Sequence, residues 1–376
     1  MPVTVESAPT GSMALGSRRI PIRALIFWAG VTFWIGNTIL HTGGAGITAL
    51  WSSFLFLAEI IVITIATRTS RLEQVRTLYC LGGAMMSVMW LVAYGFTMLE
   101  PDGNAFSRKV FVPFMEESLK LAPVIFVLWR QRQTRLWSIG ASDIFLMAAA
   151  SGAGFSLVED AFVQHSSGVW RAVDWLPTTD LTSASLTVGH PTWTSLAGAT
   201  LGLAFLWRPR KPFAYLLGAS GFLWSVFDHF SNNLAAASSP RHPGALVNFV
   251  NFVRGYGWVS FYFFWIALVV VVVADLYVIL RVLPPCPELK TPTAGLLSFS
   301  KGATPVWKSL ILTWEFLLTK RALAFMSFHY RQEPPSVRSG LLDPILYSLA
   351  QTLFRLSARR HTGVLSVVPH QNVAHS

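Results

Sequence analysis

Long apolar runs recur along the first 283 residues, separated by short polar segments that are rich in arginine. Each run approaches the roughly 20 residues a helix needs to cross the hydrocarbon core of a bilayer. The runs are continuous or carry helical periodicity, and none alternates as a barrel strand would. The pattern predicts about eight membrane-spanning helices, over 24–40, 50–67, 78–98, 110–129, 143–163, 190–207, 213–236 and 258–280. The expected fold class is therefore an all-α polytopic membrane protein. Residues 1–19 read as a disordered N-terminus, 20–283 as the transmembrane domain and 284–376 as a cytoplasmic tail.

Within the tail, 304–330 is strongly apolar but interrupted by Lys308, Glu315, Lys320 and Arg321. It is expected as an amphipathic helix on the inner membrane surface, with a ninth span as the alternative. A second amphipathic helix is expected over 341–358. No internal repeat of fixed period is present.

Composition agrees with the run pattern. The chain is 53% hydrophobic and 12% charged, with a mean hydropathy of +0.50; soluble domains carry about twice that charged fraction. The net charge of +11 does not imply a nucleic-acid partner, because the basic residues sit in short clusters between apolar runs, as they do where they orient a membrane protein. If the N-terminus is cytoplasmic, the inside segments before residue 281 hold twelve Lys and Arg and the outside loops hold five (Arg108, Lys109, Arg171, Arg241 and Arg254). That asymmetry predicts both termini inside. Cys80 and Cys286 are the only cysteines, too few for a disulfide framework or a thiolate metal site. Arg18, Arg19 and Arg23 precede the first apolar run, which ends without a small-residue cleavage pattern and reads as a retained signal anchor.

The candidate chemistry lies in ionisable residues within the spans. A charge at the bilayer centre costs at least about 2.5 kcal/mol, so such residues are functional candidates. The fourth span carries Glu116, Glu117 and Lys120, with one turn between the acids and the ammonium. The fifth carries Phe155 and, one turn on, Glu159 beside Asp160; Gly152 and Gly154 before them would admit a close neighbouring helix. The sixth opens with His190 followed by Pro191, which suits a first helical turn. The seventh carries Asp228, His229 and Asn233, and an amide four residues from an imidazole can fix its tautomer. At about 1.5 Å per residue, Glu116, Glu159, His190 and His229 all fall within roughly 10 Å of the outer edge of their spans. This common depth predicts one site open to the extracytoplasmic side.

Two mechanisms fit these residue types. One is a metal site, with His190, His229 and a glutamate such as Glu159 as ligands, zinc as the candidate ion, and a second glutamate as general base. The other is metal-free: a glutamate activates water while a histidine and Asn233 polarise the carbonyl. Both predict hydrolysis of a peptide bond in or near the membrane. A serine mechanism does not fit, since Ser220 lies nine residues before His229 on one helix, roughly 13 Å along its axis. No H-E-x-x-H motif occurs.

In that order on successive spans, Glu116-Glu117-x-x-Lys120, Phe155-x-x-x-Glu159, His190 and His229-x-x-x-Asn233 resemble the PrsW family of intramembrane proteases, which is related to the type II CAAX prenyl endopeptidases and to the scaffold subunit of gamma-secretase. The resemblance covers roughly 20–283. It implies a multi-pass protease of the bacterial inner membrane, metal- or glutamate-dependent, that cuts a single-pass, anti-sigma-factor-like substrate at the extracytoplasmic side. Carried over by motif, Glu116 and Glu117 would activate water, Glu159, His190 and His229 would complete the site, and Lys120, Phe155 and Asn233 would support it. The tail, the long loop 164–189 and Asp228 have no counterpart in that pattern. The intramembrane acids and imidazoles leave two other classes open: a noncatalytic membrane scaffold, and a proton-coupled transporter, against which stands the lack of an inverted repeat.

Overall fold

The computed structural model describes residues 36–99, 105–134, 138–167, 188–207, 211–236, 244–281 and 306–332. The described residues form helices joined by turns, without strands. A helical stretch over 36–42 turns at Gly43, whose φ of +56° suits glycine. There follow α1 (Gly44–Ile63), α2 (Leu72–Leu99), α3 (Ala105–Thr134), α4 (Ala141–Ser167), α5 (His190–Leu206) and α6 (Lys211–Ala236). After these come the short α7 (Ala245–Val253), a 3-10 turn (Gly255–Gly257), α8 (Trp258–Arg281) and the tail helix α9 (Val306–Gln332).

Each predicted span from 50–67 onward meets one of α1–α6 or α8, with α1 beginning six residues early because the Gly43 turn directly precedes it. Of the expected 24–40 span, only 36–40 fall among the described residues; the expected disorder at 1–19 and the helix at 341–358 lie outside them. Four described segments are long and apolar enough to cross a membrane: Gly44–Ala66, Leu72–Gly95, Ala141–Phe162 and Gly255–Arg281. The helices α3, α5 and α6 are not among these four. Many of their polar residues, among them Glu117, Lys120, Thr194, Asp228 and His229, are buried in the protein, where other helices replace lipid as their surroundings.

The layering explains that division. Residues 141–158 of α4 are all buried, and α5 buries 14 of its 17 residues. Around this pair pack α1, α2, α3, α6 and α8. The outer helices turn large apolar side chains outward, among them Trp51, Phe54, Leu91, Ile266, Val269 and Val273. Such a face would aggregate in water and is satisfied by hydrocarbon.

Small residues let the central helices approach. A Cβ at Gly152 would meet Thr194 Oγ1 at 2.8 Å and the His190 carbonyl oxygen at 2.9 Å, and one at Gly154 would collide with the Tyr79 carbonyl oxygen of α2. These glycines bring α4 against α5 and α2, as in other membrane helix contacts.

Two buried acids pin the opposite end of the bundle. Asp275 of α8 accepts hydrogen bonds from Ala141 N (2.8 Å) and Ser142 N (2.7 Å), which are orphan donors at the start of α4. Asp143 accepts from Thr69 N and Ser70 N, both at 2.7 Å, and so ties the α1–α2 turn to α4. The tail helix docks at this same end, where Phe325 is fully buried and lies against Gly140. It is not one of the four apolar candidate spans.

Candidate active site

Four helices carry the acids and imidazoles to one place. Glu116, Glu117 and Lys120 lie on the inward face of α3, and all three are buried. Lys120 is fixed at its backbone as well, since Ser151 Oγ of α4 donates to its carbonyl oxygen at 2.6 Å. Its ammonium lies 2.7 Å from Glu117 Oε1, 3.9 Å from Glu116 Oε2 and 4.6 Å from the centre of the Phe155 ring. Phe155 in turn lies against the His190 ring, with centroids 5.6 Å apart.

His190 is the first residue of α5, with Gly189 as N-cap and Pro191 in the first turn, as the sequence predicts. Lys120 Nζ lies 2.5 Å from its Nδ1. An ammonium only donates, so Nδ1 accepts and the ring proton belongs on Nε2. Nε2 lies 2.8 Å from Glu159 Oε2 of α4. His229 has the other tautomer: Nδ1 lies 3.0 Å from Glu117 Oε1, a carboxylate that only accepts, so Nδ1 donates. That leaves the lone pair on Nε2, which lies 3.5 Å from Glu116 Oε2.

The expected residues Glu116, Glu117, Lys120, Phe155, Glu159, His190 and His229 therefore form one contiguous cluster. Asn233 is the exception. It is half-buried and makes no hydrogen bond to His229 among the described residues. Glu117 orients that imidazole instead, because a carboxylate on the facing helix reaches Nδ1 directly. Asp160 turns aside to accept from Ser156 one turn back on its own helix.

Sequence reasoning missed a buried support behind His229. Trp193 of α5 stacks on the His229 ring at 4.4 Å with an interplanar angle of 14°. Asp228 accepts from Trp193 Nε1 at 2.6 Å, from Ser260 Oγ at 2.8 Å and from Arg254 Nε at 2.8 Å. This gives Asp228 the role that the motif left open. Arg254, expected as an outer-loop cation, lies in the turn that joins α7 to Gly255–Gly257 and is buried there against Asp228. The available signal was spacing, since Trp193 follows His190 by three residues and shares its face.

The donors fit a metal in type and in charge. Glu116, His190 and His229 each offer a ligand atom, all within 4.8 Å of one another and all buried. Glu116 Oε2 has no hydrogen-bond partner, and His229 Nε2 keeps its lone pair. With all three carboxylates ionised beside one ammonium, two negative charges would remain, which a divalent cation would balance. The trio differs from the expected Glu159, His190 and His229 in its glutamate, because Glu159 is engaged with His190 Nε2. His190 would join such a set by giving up its contact with Lys120 or with Glu159.

A family model described as PrsW family intramembrane metalloprotease matches residues 48–274. The comparisons with curated proteins and with solved structures each return no match.

Proposed function

The chain belongs to the PrsW family of intramembrane metalloproteases and is a membrane-embedded peptidase; from that premise we propose that it hydrolyses a peptide bond of a single-pass membrane protein at the extracytoplasmic face. The observation that carries this reading is the convergence of Glu116, Glu117, Glu159, His190 and His229 from four helices on one buried cluster. Polar density of this kind within a membrane bundle is costly unless it lines a working site.

The roles follow from the contacts. Glu116, whose Oε2 makes no hydrogen bond and only the longer contacts with Lys120 and His229, is the acid placed to accept a proton from water or to ligate. Glu117 is spent on Lys120 and His229 and holds the imidazole with Nε2 directed toward Glu116. Glu159 is the most exposed of the three acids. It lies 2.8 Å from His190 Nε2 and orients that ring, while the proton that Glu116 takes from water is returned to the leaving amine. Zinc is the ion proposed for Glu116, His190 and His229; when bound, it would activate water and polarise the peptide carbonyl. Lys120 and Phe155 hold the acids and the His190 ring in register.

The topology proposed is a bundle of about eight spans with both ends cytoplasmic. It is supported by arginines at the Asp143–Asp275 end, among them Arg68, Arg71 and Arg281. The cluster lies at the other end of α4, roughly 24 Å from Asp143 to Glu159 along the helix. The 20–283 region would be the protease domain, with 284–376 as cytoplasmic tail, in a bacterial inner membrane. By family likeness the substrate is an anti-sigma-factor-like protein. The test is cleavage of single-pass candidates in proteoliposomes by the parent and by Glu116→Gln. A product that requires Glu116 supports the proposal, and equal cleavage by both refutes it.

A further inference from the structure

At the bundle end opposite the acid–imidazole cluster, the α1–α2 turn meets the tail helix α9. Two arginines are buried there: Arg68, 4% exposed, and Arg321, 9% exposed. Both guanidinium groups lie against one indole, Trp314, at 5.2 and 5.6 Å from its ring centre. Arg321 Nη1 donates to the Arg68 carbonyl oxygen at 3.4 Å, so the like charges are held together. Arg68 Nε and Nη1 and Ser70 Oγ are buried without hydrogen-bond partners.

Asp143 offsets part of both charges at longer range, but the nearby acids do not supply the missing hydrogen bonds. Asp143 already accepts from Thr69 N, Thr69 Oγ1, Ser70 N and Gly140 N, at 2.7 to 2.9 Å. Glu315 faces Arg71, at 3.7 Å. Buried cations without acceptors are strongly unfavourable, and three unpaired donors within three residues call for an oxygen-rich anion. Guanidinium forks match phosphate geometry. The position supplies the source: Arg68 lies two residues beyond Ala66, where one apolar span ends, and four before Leu72, where the next begins. That is headgroup level, where a tryptophan such as Trp314 also belongs.

We propose that Arg68, Ser70 and Arg321 bind a phosphate group, supplied by an anionic phospholipid headgroup or as free phosphate. The site joins the family-matched region to a helix beyond it, since Trp314 and Arg321 lie outside 48–274. The bound anion therefore fastens the tail helix to the bundle. The proposal is independent of peptidase activity.

The test uses full-length protein in detergent doped equally with phosphatidylglycerol or phosphatidylcholine, with retained lipid measured by native mass spectrometry. Phosphatidylglycerol is expected to be retained preferentially. Arg68→Gln and Arg321→Gln should each weaken retention about fivefold, the effect of one basic residue at a membrane surface. Arg281→Gln, an exposed arginine at the same end, should leave it unchanged. If Arg68→Gln does not fold, Arg68→Lys keeps the charge and loses the fork, and should still weaken retention. In a second arm, sodium phosphate is titrated into the phosphatidylcholine sample. A rise in unfolding temperature that Arg68→Gln or Arg68→Lys abolishes would identify free phosphate as the source. Equal loss in Arg281→Gln, or indifference of both ligands to Arg68, would overturn the proposal.

Discussion

The indole of Trp193 lies flat over the imidazole of His229, with ring centroids 4.4 Å apart and planes 14° from parallel. Asp228 reaches the indole N–H at 2.6 Å, and Ser225 Oγ donates to the Trp193 carbonyl oxygen at 2.6 Å. The residue beside His229 thus controls that imidazole through a neighbouring helix. Trp193 fixes the plane of the ring and Glu117 fixes its rotation, so Nε2 has one direction in which to act.

Asp228→Asn should lower cleavage by about 10–100-fold, the usual effect of removing an outer partner of a ligand or base, and destabilise the protein less than Asp228→Ala, because its one amide oxygen can still accept from Arg254 or from Trp193 and Ser260. Asp228→Ala should also destabilise the protein, because it leaves Arg254 buried and unpaired, at a cost of about 3–5 kcal/mol. Cleavage rates in proteoliposomes and unfolding temperatures in detergent separate the two effects.

Lys120→Met should lower the yield of folded protein, since the ammonium is the cation that touches both Glu116 and Glu117. Breaking a buried pair costs about 3–5 kcal/mol. Lys120→Met combined with Glu117→Gln should recover part of the yield without recovering cleavage. Size-exclusion profiles of solubilised protein report the first quantity and the proteoliposome assay the second.

Gly154→Leu should separate α4 from α2, because even a Cβ there collides with the Tyr79 carbonyl oxygen. Overpacking of this kind costs about 1–3 kcal/mol or more. The expected readout is a lower unfolding temperature, and unchanged stability would show that the contact yields readily.

Elemental analysis of protein purified without chelator should find one divalent ion per chain. Glu116→Gln and His229→Ala should each lose it, while Asn233→Ala should retain it, since Glu117 and not Asn233 holds His229 Nδ1.

Much of the site was legible because its residues recur at one helical turn on ordered spans. Glu116 and Lys120, or Phe155 and Glu159, share a face by spacing alone, and common depth linked the four helices before any contact was known. Other features depend on tertiary arrangement. Trp193 reads as an ordinary core aromatic until Asp228 is seen to hold it. Arg254 reads as a loop cation because nothing local reveals that α7 folds it inward. An amphipathic pattern predicts α9 but not whether its apolar face meets lipid or, as Phe325 does, protein. The spans 110–129 and 190–207 read as membrane-crossing helices, and neighbouring helices that a linear hydropathy profile cannot register shelter their buried polar residues.

The central claim is that one cluster on α3, α4, α5 and α6 performs hydrolysis. Its most direct test compares cleavage of a single-pass substrate in proteoliposomes by the parent protein and by Glu116→Gln, Glu159→Gln and His229→Ala, each confirmed to insert and fold. The account predicts that every substitution lowers the rate at least about 100-fold, the lower range for loss of an acid–base group, with folding retained. Parental rates in all three variants would contradict it.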